Sequence, residues 1–204
     1  MNNYSAEESL RLIAETIEKN RNAIAKNAGK PLILWGVLVA VTAFVIWGLW
    51  AKTGNPIWNL LWFAMTAIGG FGTHYLTRNQ EKVPKSEISR ILGGVWMWFG
   101  IFTTSLYLLL WVVALIRYAM GTAGVVTINL SLIIALTMGL SGTISGVVMR
   151  KKSVTASAAV ATFLSVLLIL LVPDGSPVQI LSFAILGVIA LVIPGVMFQK
   201  ESSK

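Results

Sequence analysis

Few side chains in this 204-residue chain are equipped for chemistry, and their spacing limits what they can do. Ser141 stands in Gly139-Leu140-Ser141-Gly142, within the small-residue stretch TMGLSGTISGVVMRKK. A serine hydroxyl is a weak nucleophile until an adjacent base takes its proton. The single histidine, His74, lies in a different apolar run. One histidine without acidic neighbours cannot assemble a multi-ligand metal site, and the absence of cysteine removes thiolate chemistry and disulfides. His74 shares a helical face with Gly70 and Ala67. It reads either as a polar contact at the end of its run or as a pH sensor, because histidine titrates near neutral pH. No Asp, Glu, Lys or Arg occupies the middle of an apolar run, which argues against an ion-coupled carrier built on a buried carboxylate. No nucleophile–base or acid–base pair can be assembled. The expectation is a non-enzymatic protein with no catalytic residue, metal or cofactor.

The Gly139-Leu140-Ser141-Gly142 quartet resembles the nucleophile motif of the rhomboid proteases, whose serine works with a histidine on the sixth helix. Residues 178–198 contain no histidine, so the resemblance ends at the quartet. A second reading starts from Ser131, Ala135, Gly139, Gly142 and Gly146, spaced 4, 4, 3 and 4. That spacing puts all five on one helical face, and Gly142-xxx-Gly146 is the small-xxx-small pattern of close helix crossings. The face serves either helix packing or the lining of a pore.

The elements carrying these residues are apolar helices. Of the chain, 56% is hydrophobic and 12% charged, against about 25% charged in soluble domains. The charges are confined to short blocks between six apolar runs: 32–51, 57–76, 91–118, 125–149, 154–172 and 178–198. Each is close to the roughly 20 residues that cross a bilayer core. The fold class expected is an all-α integral membrane protein. It comprises a cytoplasmic amphipathic helix over residues 1–30 and a six-helix transmembrane bundle over residues 31–200. Asn55-Pro56 and Ser176-Pro177 pair a cap residue with a proline suited to the first helical position. Ser86 and Ser153 are placed to cap the third and fifth runs, and Pro194 is expected to kink the sixth.

All of the 16 Lys and Arg residues except Lys52 and Arg117 fall in alternate segments: the two termini and the second-to-third and fourth-to-fifth connections. By the positive-inside rule both termini are cytoplasmic, and the location expected is a bacterial inner membrane. The net charge of +8 then reflects topology and attraction to anionic lipid headgroups. No basic patch interleaved with aromatics points to nucleic acid. The first 30 residues carry Glu7, Glu8, Glu15 and Glu18, unlike a signal peptide.

Within residues 5–28, Ser5 and Glu8 form a capping-box pattern, and Glu7/Arg11 and Glu15/Lys19 are i,i+4 pairs. Leu10, Ile13, Ile17 and Ile24 form a narrow stripe, with Asn20 and Asn27 at the polar positions of the same seam. The stripe either docks a partner helix or rests on headgroups, and Gly29-Lys30-Pro31 is expected to break the helix before the membrane. The opening SAEESLRLIAETIEKNRNAIAKNAGKPLILWGVLVA is similar to that of a group of small bacterial membrane proteins. These begin with an amphipathic helix running into Leu-Trp-Gly, here Leu34-Trp35-Gly36. The resemblance implies a six-helix architecture and no catalytic residue. The function expected is helix association, as a homo-oligomer or as a subunit or regulator of a membrane complex. The alternative is a passive channel or carrier for a small solute, ion or lipid.

Overall fold

The computed structural model describes residues 5–78, 80, 86–122 and 129–201, and these are helical almost throughout. Residues 125–128 of the expected fourth run, with Lys82, Lys85 and Lys204, lie outside the described residues. The helices are α1 (Ala6–Thr53), α2 (Leu61–Arg78), α3 (Glu87–Ala119), α4 (Leu130–Val148), α5 (Lys152–Leu171), α6 (Val178–Gly187) and α7 (Ile193–Glu201). A five-residue 3-10 turn, Pro56–Leu60, precedes α2, and a π-helical turn, Val188–Val192, joins α6 to α7. Among the described residues, five helices are long and apolar enough to cross a membrane: α1, α3, α4, α5 and the continuous stretch Val178–Lys200. The second expected span is not among them. Its first residues form the 3-10 turn, and the 18 residues of α2 end on His74, Tyr75, Thr77 and Arg78.

Helix α1 runs unbroken for 48 residues, about 72 Å at 1.5 Å per residue. It starts on the expected capping box: the Ser5 hydroxyl accepts from the Glu8 amide at 3.2 Å, and the Glu8 carboxylate accepts from the Ser5 amide at 3.0 Å. It ends at Gly54, in the left-handed conformation with φ 68°. The break expected at Gly29-Lys30-Pro31 is absent, because Pro31 sits inside the helix. Proline removes the N–H that would bond the carbonyl four residues back. That carbonyl belongs to Asn27, and the Gln80 side-chain amide donates to it at 3.0 Å. The helix therefore continues with its freed acceptor satisfied from outside.

The same device recurs near the other end of the chain. Pro194 does not simply kink the last span; the turn before it widens to a π-helix, with the Ile193 amide donating to the Val188 carbonyl. The next carbonyl in that register, Ile189, would need an N–H from residue 194, which proline lacks. The Ser157 hydroxyl of α5 donates to it at 2.6 Å.

Helix α3 starts on a Ser86/Ser89 capping box. Ser153 is not a cap: α5 begins one residue earlier, after Lys151, and Ser153 lies inside it. The α4–α5 turn closes through Arg150 at φ 53°, with the Arg150 amide on the Val147 carbonyl and the Lys151 amide on that of Gly146.

The main core gathers Val39, Ala43 and Ile46 of α1 with Trp62 and Met65 of α2, Leu132, Ala135 and Met138 of α4, Ala161 of α5, and Ile180, Phe183 and Leu186 of α6. A second cluster at one end joins Ile24 and Ala25 to Met149, Val154 and Phe198. In the most apolar stretches of α4 and of Val178–Lys200, 56% of residues are buried, against none in α3. Helix α3 is thus the loosely held member of the bundle.

Candidate functional site

The small face of α4 meets α5 of the same chain. Ser131, Ala135, Gly139, Gly142 and Gly146 are all buried. A methyl group at Gly139 would lie 2.9 Å from the Thr162 backbone nitrogen, and one at Gly146 would lie 2.6 Å from that of Thr155. At Gly142 it would meet the Ala158 Cβ at 2.9 Å. Backbone approach this close requires the absent side chains. Ser141 is also buried, and the Ser145 hydroxyl donates to its carbonyl at 2.8 Å. His74, the chain's only imidazole, is exposed at the end of α2.

A second glycine-mediated crossing, not singled out by the sequence pattern, joins α1 to α7 and the π turn. Gly29 and Gly195 face each other: a methyl on either would lie 2.9 Å from the other's carbonyl oxygen. Gly36 meets Val192 in the same way, at 2.9 Å from its backbone nitrogen. The signal was dispersed, because the residues that meet, Gly29 with Gly195 and Gly36 with Val192, lie 166 and 156 positions apart in sequence and come together only across helices. The same junction gives Leu34-Trp35-Gly36 a structural role. The Trp35 ring covers Gly69 and its indole N–H donates to the Thr73 hydroxyl at 2.8 Å, while Leu34 covers Gly72. Three consecutive residues thus bind α1 to two different neighbours.

The expected docking stripe is divided between two environments. Ile24 is 8% exposed and belongs to the second cluster. Leu10, Ile13 and Ile17 are 68%, 56% and 47% exposed, on a segment where every residue from Ser5 to Lys19 except Ser9 is exposed. About 20 Å of helix therefore projects from the bundle. Its ion pairs differ from those expected: Arg11 pairs with Glu15 at 3.4 Å and Arg21 with Glu18 at 2.9 Å. The first is exposed on both sides and contributes little. Arg21 is 8% exposed, and its Nε–H has no hydrogen-bond partner among the described residues.

Several hydroxyls at depth are engaged with their own helices. Thr66, Thr137 and Thr162 donate to carbonyls three or four residues back, the usual arrangement for hydroxyls inside helices. The Thr103 hydroxyl is buried without a partner among the described residues. Asn129, directly before α4, is 4% exposed and ties α4 to the end of α5 by donating to the Val172 carbonyl at 2.9 Å.

Two apolar spaces flank α3. A partly enclosed cavity of about 210 Å³ lies between α1, α3, α4 and α7, lined by Ile24, Ala28, Leu32, Leu92, Gly93, Trp96 and others. A wider groove of about 460 Å³ separates α3 from α4. Gly93, Gly94 and Gly100 of α3 have no neighbour within 4 Å of a built Cβ, so they do not form close crossings. No family model, curated protein or solved structure matches the chain.

Proposed function

We propose that this chain is a six-span inner-membrane protein, with both ends on the cytoplasmic side, that acts through helix association rather than catalysis. Five helices of spanning character and the alternation of basic segments support the six-span, N-in/C-in reading, with Pro56–Leu60 and Leu61–Arg78 together forming the remaining crossing. The small face of α4 is occupied within the chain, so the associating surface is the projecting part of α1. The occupant is a second copy of the same helix. Leu10 and Ile17 fall at one heptad position and Ile13 at the other, the narrow seam of a two-stranded coiled coil, which ends where Ile24 turns into the chain's own core. Two copies in one membrane present these helices in parallel and at high effective concentration, which offsets the weakness of a seam this short in isolation.

The carrying observation is the exposed row Leu10, Ile13 and Ile17 on a helix continuous with the bundle. Covering such side chains is worth on the order of 1–2 kcal/mol each. The chain contains no cysteine, so a single introduced thiol reports cleanly. Under mild oxidation in native membranes, Ile13→Cys should form disulfide-linked dimers several-fold more readily than Arg11→Cys, and adding Ile17→Asp should abolish them. Equal crosslinking at positions 11 and 13, or an adduct with a different protein in place of the dimer, would overturn the homo-oligomer reading.

A further inference from the structure

The 210 Å³ cavity and the buried arginine beside it belong to one surface of α1. Arg21, Ile24, Ala28 and Leu32 follow one another at spacings of 3, 4 and 4, on one helical face. The last three line the cavity. Arg21 lies one turn before them along α1, next to Ile24, which the second cluster joins to Met149, Val154 and Phe198. Arg90, Arg150, Lys151, Lys152 and Lys200 lie within a few residues of that cluster and its flanking Ile88 and Leu92. Two acidic side chains at the same end are engaged in ion pairs among the described residues, and Glu201 follows Lys200 in sequence. Glu18 takes one guanidinium N–H of Arg21, and Glu87 pairs with Arg90 at 2.6 Å.

Two features ask for an occupant. A guanidinium offers five N–H donors, yet Arg21 is 8% exposed and, among the described residues, its Nε–H has no partner and its one carboxylate is itself half exposed. A buried charge held by one solvated partner is costly unless further acceptors reach it. Beyond it, the cavity walls are almost wholly apolar, and Gly93 faces space that no protein atom fills. Walls lining such a void lose dispersion contacts unless something fills it.

We propose that this is a binding site for one anionic phospholipid of the leaflet on the N-terminal side. Its phosphate lies on Arg21 and one acyl chain enters between α1 and α3 toward Trp96. The planar fork of arginine suits phosphate oxygens, and the surrounding basic residues favour an acidic over a zwitterionic headgroup. The path is ordered as the amphiphile is: charge outermost at Arg21, then Ile24, Ala28 and Leu32 inward along α1.

The test uses the full chain reconstituted in vesicles of phosphatidylcholine with a minor fraction of phosphatidylglycerol. It is then extracted in mild detergent, and retained lipid is quantified by mass spectrometry. The wild type should retain phosphatidylglycerol in preference to phosphatidylcholine, close to one per chain. Arg21→Gln should lower that retention about tenfold or more, the scale of a lost charge-assisted bond. Lys30→Gln, which removes the same charge from an exposed position, should leave it unchanged. Gly93→Leu keeps Arg21 and grows into the cavity, where a Cβ meets nothing within 4 Å. It should displace the lipid while helix content and melting temperature are maintained or raised. Equal retention of the two lipids, undiminished retention in Arg21→Gln or in Gly93→Leu, or retention of added palmitate alone would each overturn the proposal.

Discussion

Replacing Ser157 with alanine deletes one oxygen atom and isolates one carbonyl. In the π turn the Ile193 amide is committed to Val188, and residue 194 has no amide to offer Ile189. The Ser157 hydroxyl, 2.6 Å away, supplies the donor. An orphaned acceptor in a dry environment costs about 1–3 kcal/mol, whereas interhelical hydrogen bonds measured in membranes average about 0.6 and reach about 1.7 kcal/mol. The upper membrane value applies here, since no alternative N–H lies in register. Alanine returns roughly 0.5 kcal/mol through its better helix propensity. The net loss for Ser157→Ala is therefore about 1 kcal/mol. In a Pro194→Ala background, residue 194 regains its N–H, which can serve Ile189 directly. Ser157→Ala should then be slightly stabilising, and because the propensity gain is common to both backgrounds, the double-mutant cycle should show a coupling of about 1.7 kcal/mol. Reversible unfolding in mixed micelles titrated with sodium dodecyl sulfate, followed by circular dichroism, reads all four variants. Equal destabilisation by Ser157→Ala in both backgrounds would refute the argument, because the hydroxyl would then be acting on something other than the carbonyl freed by Pro194.

Glycine-to-alanine exchanges should split by sign under the same assay. Gly146→Ala places a methyl 2.6 Å from the Thr155 backbone nitrogen and should destabilise by about 1–3 kcal/mol, while Gly94→Ala, with nothing within 4 Å, should stabilise by up to about 1 kcal/mol. By the same reasoning Gly142→Leu, which drives a side chain into Ala158, should be read as lost folding of the monomer, seen in the unfolding midpoint before any change in crosslinked dimer. Arg150 holds φ 53° at the end of α4; relief of left-handed strain in Arg150→Gly should raise stability by about 1 kcal/mol. A lower unfolding midpoint for that variant would show that the arginine side chain contributes more than its backbone costs.

Much of the local structure was legible in the sequence because it depends on neighbours a few residues apart. The Ser5/Glu8 capping box, the helical runs over 91–118, 154–172 and 178–198, and the small-residue spacing of α4 each rest on i to i+3 or i+4 relations or on a run's mean apolarity. The same local logic misread Gly29-Lys30-Pro31 as a break and Ser153 as a cap. It also took Leu10, Ile13, Ile17 and Ile24 as a single stripe, since nothing in their spacing distinguishes the one that is buried. The Gly29–Gly195 crossing and the cavity beside Arg21 were not legible at all, because their halves lie on helices distant in sequence.

By itself, then, the sequence determined that the chain forms long apolar helices and where most of them lie: side-chain polarity, caps and chain stiffness act within a turn or two. Only the tertiary structure decided what each helix face meets and whether a proline ends a helix. Pro31 and Pro194 each free a carbonyl, a cost that local sequence makes look terminal. Gln80 and Ser157, brought in from elsewhere in the chain, donate to those carbonyls. With the acceptors satisfied, both helices run on. A hydrogen bond between residues 53 or 32 positions apart has no signature in local periodicity, which is why folding, and not spacing, set the length of α1 and the course of the last span.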